Sequence, residues 1–271
     1  MPELLCPVDR RHPLHIDREI SDFNKSFNGV ITCRDAHEFP IKSNIIDFLP
    51  EAHYPGGSIA NFSNHFSITA STYETQWRKR SIGWLSGQDF TLQEEANLLL
   101  SWIDPYPKNI VVDIGASTGF YTRTVAKAHS DSSVFAIDFS RPMLEEAIRC
   151  GSEDQLQFYP MRADAARLPF FDDQVDVLVC GGTYNELSDP EAVLQEMNRV
   201  LKPDGVCFMM YLTKAESFSG KIFQTGLLPG GVFFPKSKKA ARQFSQAGFE
   251  ITKTRSMGIV TFQLLVNTRS G

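Results

Sequence analysis

Between residues 109 and 266 the chain repeats one pattern, a short and almost wholly apolar run followed by an amphipathic or polar stretch. Residues 110–114 read Ile-Val-Val-Asp-Ile, 134–137 Val-Phe-Ala-Ile, 175–180 Val-Asp-Val-Leu-Val-Cys and 206–211 Val-Cys-Phe-Met-Met-Tyr. Runs without polar alternation predict strands buried on both faces, as in a parallel sheet covered by helices. Helices are predicted over 120–129 and 190–200, and over 91–103, where Leu92, Ala96, Leu99, Leu100 and Ile103 recur at helical spacing. A helix over 236–247 and strands near 251–255 and 259–266 close the pattern. Strands alternating with helices predict an α/β fold.

The segment 111–126, VVDIGASTGFYTRTVA, concentrates the chemistry. An apolar strand there enters a small-residue turn that opens a helix. Gly115 and Gly119 allow a tight turn and close approach of a ligand to the backbone. The helix start presents unpaired amides, which favour electron-rich ligand atoms. Asp138 ends the next strand, where a carboxylate suits the two hydroxyls of a ribose. A dinucleotide fingerprint needs Gly at the first, third and sixth positions, and the chain has Gly115, Ser117 and Phe120 there. Gly115-Ala-Ser117-Thr-Gly119 also matches a hydrolase nucleophile elbow, whose base follows the Ser in the chain. Of the six histidines only His129 follows Ser117, and it lies one short helix downstream. Both readings therefore fail on named positions.

The same stretch resembles motif I of the class I S-adenosylmethionine-dependent methyltransferases. The resemblance implies a cofactor site in which Asp113 lies beneath the methionine end, Gly115, Ser117 and Gly119 form the turn, Asp138 receives the ribose and Phe139 lies beside the adenine. Ser117 stands where the family usually has Gly. The segment RADAARLPFFDDQVDVLVC resembles the next motif, which assigns Asp164 and Ala165 to the adenine amino group. EMNRVLKPDG, residues 196–205, is similar to the variant that includes the ubiquinone and menaquinone C-methyltransferases. The implied fold is a Rossmann-like, seven-stranded, mostly parallel sheet with helices on both faces, closed by an antiparallel pair.

Composition narrows the function. The chain has 271 residues, 42% hydrophobic and 22% charged, an ordinary balance for a soluble globular protein. Its longest apolar runs fall well short of the roughly 18 residues of a membrane helix. The first residues, MPELLCPVDRRHP, lack the apolar core of an export signal, so a cytoplasmic location is expected. A net charge of −5 argues against gathering nucleic acid by phosphate neutralisation. Basic clusters at Arg78, Lys79 and Arg80 and at Lys236, Lys238, Lys239 and Arg242 read as solvated faces.

Residues 1–50 form a distinct head. Cys6, Asp9, Cys33 and His37 have the spacing of two short ligand knuckles, and this segment resembles the zinc ribbons carried by some methyltransferases, including certain ribosomal RNA guanine enzymes. Those ribbons usually have Cys where Asp9 stands. A carboxylate is an acceptable zinc ligand, and a degenerate ribbon held by its apolar residues is the alternative. Cys150, Cys180 and Cys207 lie in core-like segments and read as small buried hydrophobes.

Residues 51–57 are Pro- and Gly-rich and read as a linker, leaving 58–271 as the catalytic domain. Within it, 58–105 would supply substrate-covering helices, with Tyr73 and Trp77 one helical turn apart as candidates for an apolar pocket. The segments TYETQW and FTLQEEANLLLSW resemble an uncharacterised cyanobacterial and chloroplast methyltransferase group with a ribbon-like head. Residues 213–235 are rich in Phe and Gly and read as a lid. In-line methyl transfer depends on positioning and exclusion of water. The loop after the fourth strand places Tyr184 and Asn185 to orient substrate and Glu186 as a base, where related enzymes often have His. The expected partner is a small, partly apolar methyl acceptor, quinone-like, prenylated or another secondary metabolite. Ribosomal RNA methylation and cofactor binding without catalysis are the alternatives.

Overall fold

The computed structural model describes residues 1–16, 27–49, 85, 87–216, 218–227 and 231–269. The head contributes β1 (Leu14–Ile16), β2 (Gly29–Cys33), β3 (Glu38–Lys42) and β4 (Ile45–Asp47). Then follow α1 (Leu92–Ile103), β5 (Ile110–Ile114), α2 (Phe120–Ala128), β6 (Ser133–Asp138), α3 (Arg141–Glu153), β7 (Tyr159–Arg162) and β8 (Val175–Gly181). A single 3-10 turn (Thr183–Glu186) leads to α4 (Pro190–Val200), β9 (Leu201–Leu212), α5 (Phe218–Leu227), α6 (Ser237–Gln246), β10 (Phe249–Met257) and β11 (Val260–Asn267).

Local chemistry explains the boundaries. Thr91 caps α1 in a reciprocal capping box with Glu94. Asp189 caps α4 by accepting from the Ala192 amide, and Pro190 occupies the first turn, where its missing N–H costs nothing. Ser140 caps α3 by accepting from the Met143 amide.

The described strands form one sheet in the order β1-β2-β3-β4-β7-β6-β5-β8-β9-β11-β10. From β7 to β9 neighbouring strands are parallel, and β11 and β10 close that edge antiparallel. The mostly parallel run with an antiparallel ending is as expected, whereas the sheet has eleven strands and not seven. The head does not stand apart from this sheet. Its strands extend the same sheet to eleven, because β4 pairs in parallel with β7 at Ile46–Met161 and Asp47–Arg162. This pairing covers an edge whose backbone groups would otherwise lie open. Leu4, Cys6, Ile31 and Ile41 of the head share one buried cluster with Phe135 and Phe170 of the catalytic part.

Strand alternation builds a core on each face. Val112, Ile114, Phe135, Ile137, Met209 and Tyr211 face α4, α6 and the head. Val111, Val134, Ala136, Val177, Val179 and Phe208 face α1, α2 and α3. Strand order reverses between β5, whose connection runs to β6, and β8 on its other side, creating a crevice at the strands' carboxyl ends. No helix among the described residues is long and apolar enough to cross a membrane.

Candidate active site

The crevice is built by the turn after β5. Gly115, Ser117 and Gly119 all take left-handed backbone angles, with φ of 67°, 52° and 79°. Ser117, standing where a glycine is usual, therefore adopts the conformation that a glycine takes without strain. The Gly115 and Ala116 amides both donate to the Ile137 carbonyl, at 2.8 and 2.9 Å, which fastens the turn to the end of β6. A side chain at Gly115 would collide with Thr183, whose Oγ1 lies 1.9 Å from the position of a Cβ there. At Gly119 a Cβ would press within 3.0 Å of the Ala147 methyl, so this glycine lets α2 approach α3.

Asp113 is buried at the end of β5. Its Oδ2 accepts from the Thr122 amide at 3.0 Å and the Thr122 hydroxyl at 2.7 Å, tying the first turn of α2 to the strand. Asp138 is held by two amides, from Ser117 at 2.8 Å on Oδ2 and from Ser140 at 2.8 Å on Oδ1. The Phe139 amide also favours the charged carboxylate, which keeps acceptor capacity for an incoming hydroxyl. Burial pushes the Asp138 carboxyl up to about 6, against the lowering effect of the amides around it. Asp164 is partly exposed, and its Oδ1 accepts from the Ala166 amide at 2.9 Å. Ala165 packs partly buried against the core.

A charged brace that the sequence reading missed holds the neighbouring Phe139. The Arg162 Nε donates to the Phe139 carbonyl at 2.9 Å, and Arg162 Nη1 meets Asp47 of β4 at 3.1 Å. Arg141, at the start of α3, donates to the same carboxylate at 2.7 Å. Asp47 and Arg162 are adjacent across paired strands that are far apart in the chain, and no local motif signals them.

The 3-10 turn after β8 forms the opposite wall. Tyr184 is fully buried among Tyr211, Phe233 and Phe244, and its hydroxyl donates to Gln243 at 2.9 Å. Burial and the nearby Cys180 push its hydroxyl up to about 12. Asn185 donates to the Leu212 and Phe233 carbonyls at 2.8 and 2.7 Å and accepts from the Leu212 amide at 2.7 Å. Its amide group thus clamps the turn to β9 and to the segment after α5. Glu186 is partly buried, and desolvation together with the charge of Asp138 raises its carboxyl to about 7. The turn and the end of β6 therefore bring two carboxylates within electrostatic reach of each other.

Described residues on both sides of α5 and within it reach this wall. Gln224 of α5 donates to the Thr213 carbonyl at 2.7 Å and accepts from the Ala215 amide at 2.8 Å. The Phe233 amide donates to the Asn185 carbonyl at 2.8 Å. The cofactor candidates from β5, β6 and the segment after β7 thus gather at one crevice, together with Glu186. Tyr73, Trp77 and the linker 51–57 lie outside the described residues. Cys6, Asp9, Cys33 and His37 converge on one point in the head.

A family model described as a methyltransferase domain matches residues 112–209. The demethylmenaquinone methyltransferase of Staphylococcus saprophyticus is 31% identical over 168 residues, covering 54% of this chain and 72% of that enzyme. The chloroplast 2-methyl-6-phytyl-1,4-hydroquinone methyltransferase 2 of Oryza sativa is 30% identical over 156 residues, covering 57% of this chain but only 43% of that protein. Among solved structures, Haemonchus contortus phosphoethanolamine N-methyltransferase 2, in complex with phosphomonomethylethanolamine and S-adenosylhomocysteine, superposes with a TM-score of 0.61 at 13% identity. That superposition covers 79% of this chain and 61% of the other, and it shows a shared fold.

Proposed function

The chain belongs to the class I S-adenosylmethionine-dependent methyltransferases, and from that premise we propose that it methylates a quinone-like ring, small and partly apolar, whose hydroxyl or enol must lose a proton. The observation that carries this reading is the position of Glu186, partly buried on the turn after β8 and near enough to Asp138 for that charge, with burial, to raise its carboxyl. The likeness to demethylmenaquinone and phytylhydroquinone methyltransferases supports the class of acceptor. The ribbon-like head and the likeness to cyanobacterial and chloroplast enzymes belong to the same reading.

The residues present fit S-adenosylmethionine. Asp138 is preorganised by backbone amides, those of Ser117 and Ser140 among them, with acceptor capacity left for the ribose hydroxyls. Phe139 and Asp164 would hold the adenine, and Asp113, Gly115, Ser117 and Gly119 would shape the turn along the methionine end. When bound, the cofactor supplies an electrophilic methyl group on a sulfonium. Glu186 would take the acceptor's proton as the new bond to the methyl forms and the bond to sulfur breaks. A carboxylate near pH 7 suits that role, since a base is most effective when its pKa lies near the working pH. Tyr184 and Asn185 act in this account by fixing the turn that carries Glu186. Residues 213–235 act as the lid that keeps water from the acceptor.

The test is formation of S-adenosylhomocysteine with a panel of acceptors, comprising a prenylated naphthoquinol, a phytylated hydroquinone, a short phenol and ribosomal RNA. Turnover confined to the prenylated rings is expected. Turnover with RNA alone would replace this reading.

A further inference from the structure

We propose that Cys6, Asp9, Cys33 and His37 form a closed, tetrahedral site for one divalent zinc-like ion, a structural staple for the head that is separate from the methyl-transfer site. The argument rests on distances. His37 Nδ1 lies 3.6 Å from Cys6 Sγ, 3.2 Å from Cys33 Sγ and 3.4 Å from Asp9 Oδ2, and Cys33 Sγ lies 3.3 Å from Asp9 Oδ2. Zinc bound at about 2.3 Å to sulfur and about 2.0 Å to nitrogen or oxygen sets tetrahedral edges of about 3.3–3.8 Å. The four measured edges fall on or just below that range.

Hydrogen bonding alone does not account for the cluster. One imidazole nitrogen offers either a single N–H or a single lone pair, yet Nδ1 of His37 meets three polar atoms at once. Two buried thiols complete the set. A central cation takes one lone pair from each of the four groups and leaves none in conflict.

Two turns of similar construction present the ligands. In the first, the Arg10 amide donates to the Cys6 carbonyl at 2.9 Å, and Arg10 has a φ of 55°. In the second, the Ala36 amide donates to the Cys33 carbonyl at 3.0 Å, and Ala36 has a φ of 58°. The other oxygen of Asp9 accepts from the Arg11 and His12 amides at 2.8 and 3.1 Å, which aims Oδ2 inward as an outer-shell contact does at a metal centre. Four protein ligands leave no open position, so the site is structural. It seats the head on the catalytic part through Arg10, which donates to Glu196 of α4 at 2.7 Å, and through the Leu5 amide, which donates to the Pro169 carbonyl at 3.0 Å. Asp9, His12 and Asp35 form a competing group, more exposed and without sulfur.

The test measures metal in the full chain and then replaces it with cobalt(II). One zinc per chain is expected, and cobalt should produce a thiolate-to-metal charge-transfer band. Cys33→Ser should lose about half of that band, because one of the two thiolates remains. Asp9→Cys, which removes no ligand, should strengthen the band, and His12→Ala should leave it unchanged. A folded chain that retains no zinc and gives no band with cobalt would overturn the site. So would a band that survives Cys33→Ser intact but disappears in His12→Ala.

Discussion

Glu186 and Asp138 carry the account at the scale of single residues. Both carboxyls are raised by burial, so the folded state binds their protons more tightly than the unfolded chain does. For Glu186, stability therefore falls as pH rises from the unfolded value of 4.5 to about 7, and the cost is fully present above about 7. Removing the charge should restore on the order of 2–3 kcal/mol at pH 8 and nothing at pH 4. Glu186→Gln is thus expected to melt higher than the parent at pH 8, with the two melting curves converging in acid. The same variant should lose turnover, and the parent's rise in kcat through pH 7 should flatten; an unchanged kcat profile would remove Glu186 as the base. Ser117 gives a second expectation. Its left-handed backbone tolerates Ser117→Gly with little change in cofactor affinity, whereas the β-branched Ser117→Val should destabilise by about 1–2 kcal/mol in chemical denaturation. The glycines and Asp113 are legible in the sequence because strand, turn and helix fall within sixteen residues, and Asp138 because it ends the next apolar run. The burial of Tyr184 is not legible, because its cage of Tyr211, Phe233 and Phe244 comes from segments joined only by the fold.

Among elements, the decisive contacts join the 3-10 turn to β9 and the head to β7. Asn185 makes three hydrogen bonds that hold the turn in place. Asn185→Ala should cost roughly 2–4 kcal/mol and reduce kcat more than KM, since the wall carrying Glu186 shifts while the Asp138 side remains. Asp47 provides the corresponding test for the head. Removing it leaves the buried Arg162 guanidinium without its carboxylate, so Asp47→Ala should cost about 3–5 kcal/mol. It should also weaken cofactor binding, because Arg162 fixes the Phe139 carbonyl. Paired substitution with Arg162→Met should recover part of that stability, measured as a double-mutant cycle. The element types follow from periodicity, and α4 begins and ends where its Pro190 and apolar spacing predict. What periodicity does not carry is partnership between distant strands. β4 has three residues, and nothing in Ile-Ile-Asp specifies that Ile46 will face Met161 across a sheet edge.

For the molecule as a whole, one sheet carries two kinds of chemistry. A crevice at the carboxyl ends of β5, β6 and β8 gathers the acids and the left-handed turn, while the head extends the far edge and braces the crevice through Asp47 and Arg162. A mostly parallel sheet with an antiparallel ending is legible once motif and periodicity are combined, and the eleven-stranded continuity is not, because edge pairing is a long-range event. The most direct measurement is a calorimetric titration of the full chain with S-adenosylmethionine, repeated with Asp138→Ala. The account predicts one site per chain with affinity at least ~10-fold weaker in the variant, the loss of a charged acceptor for the ribose. Equal binding by a folded Asp138→Ala variant, or none by the folded parent, would contradict it.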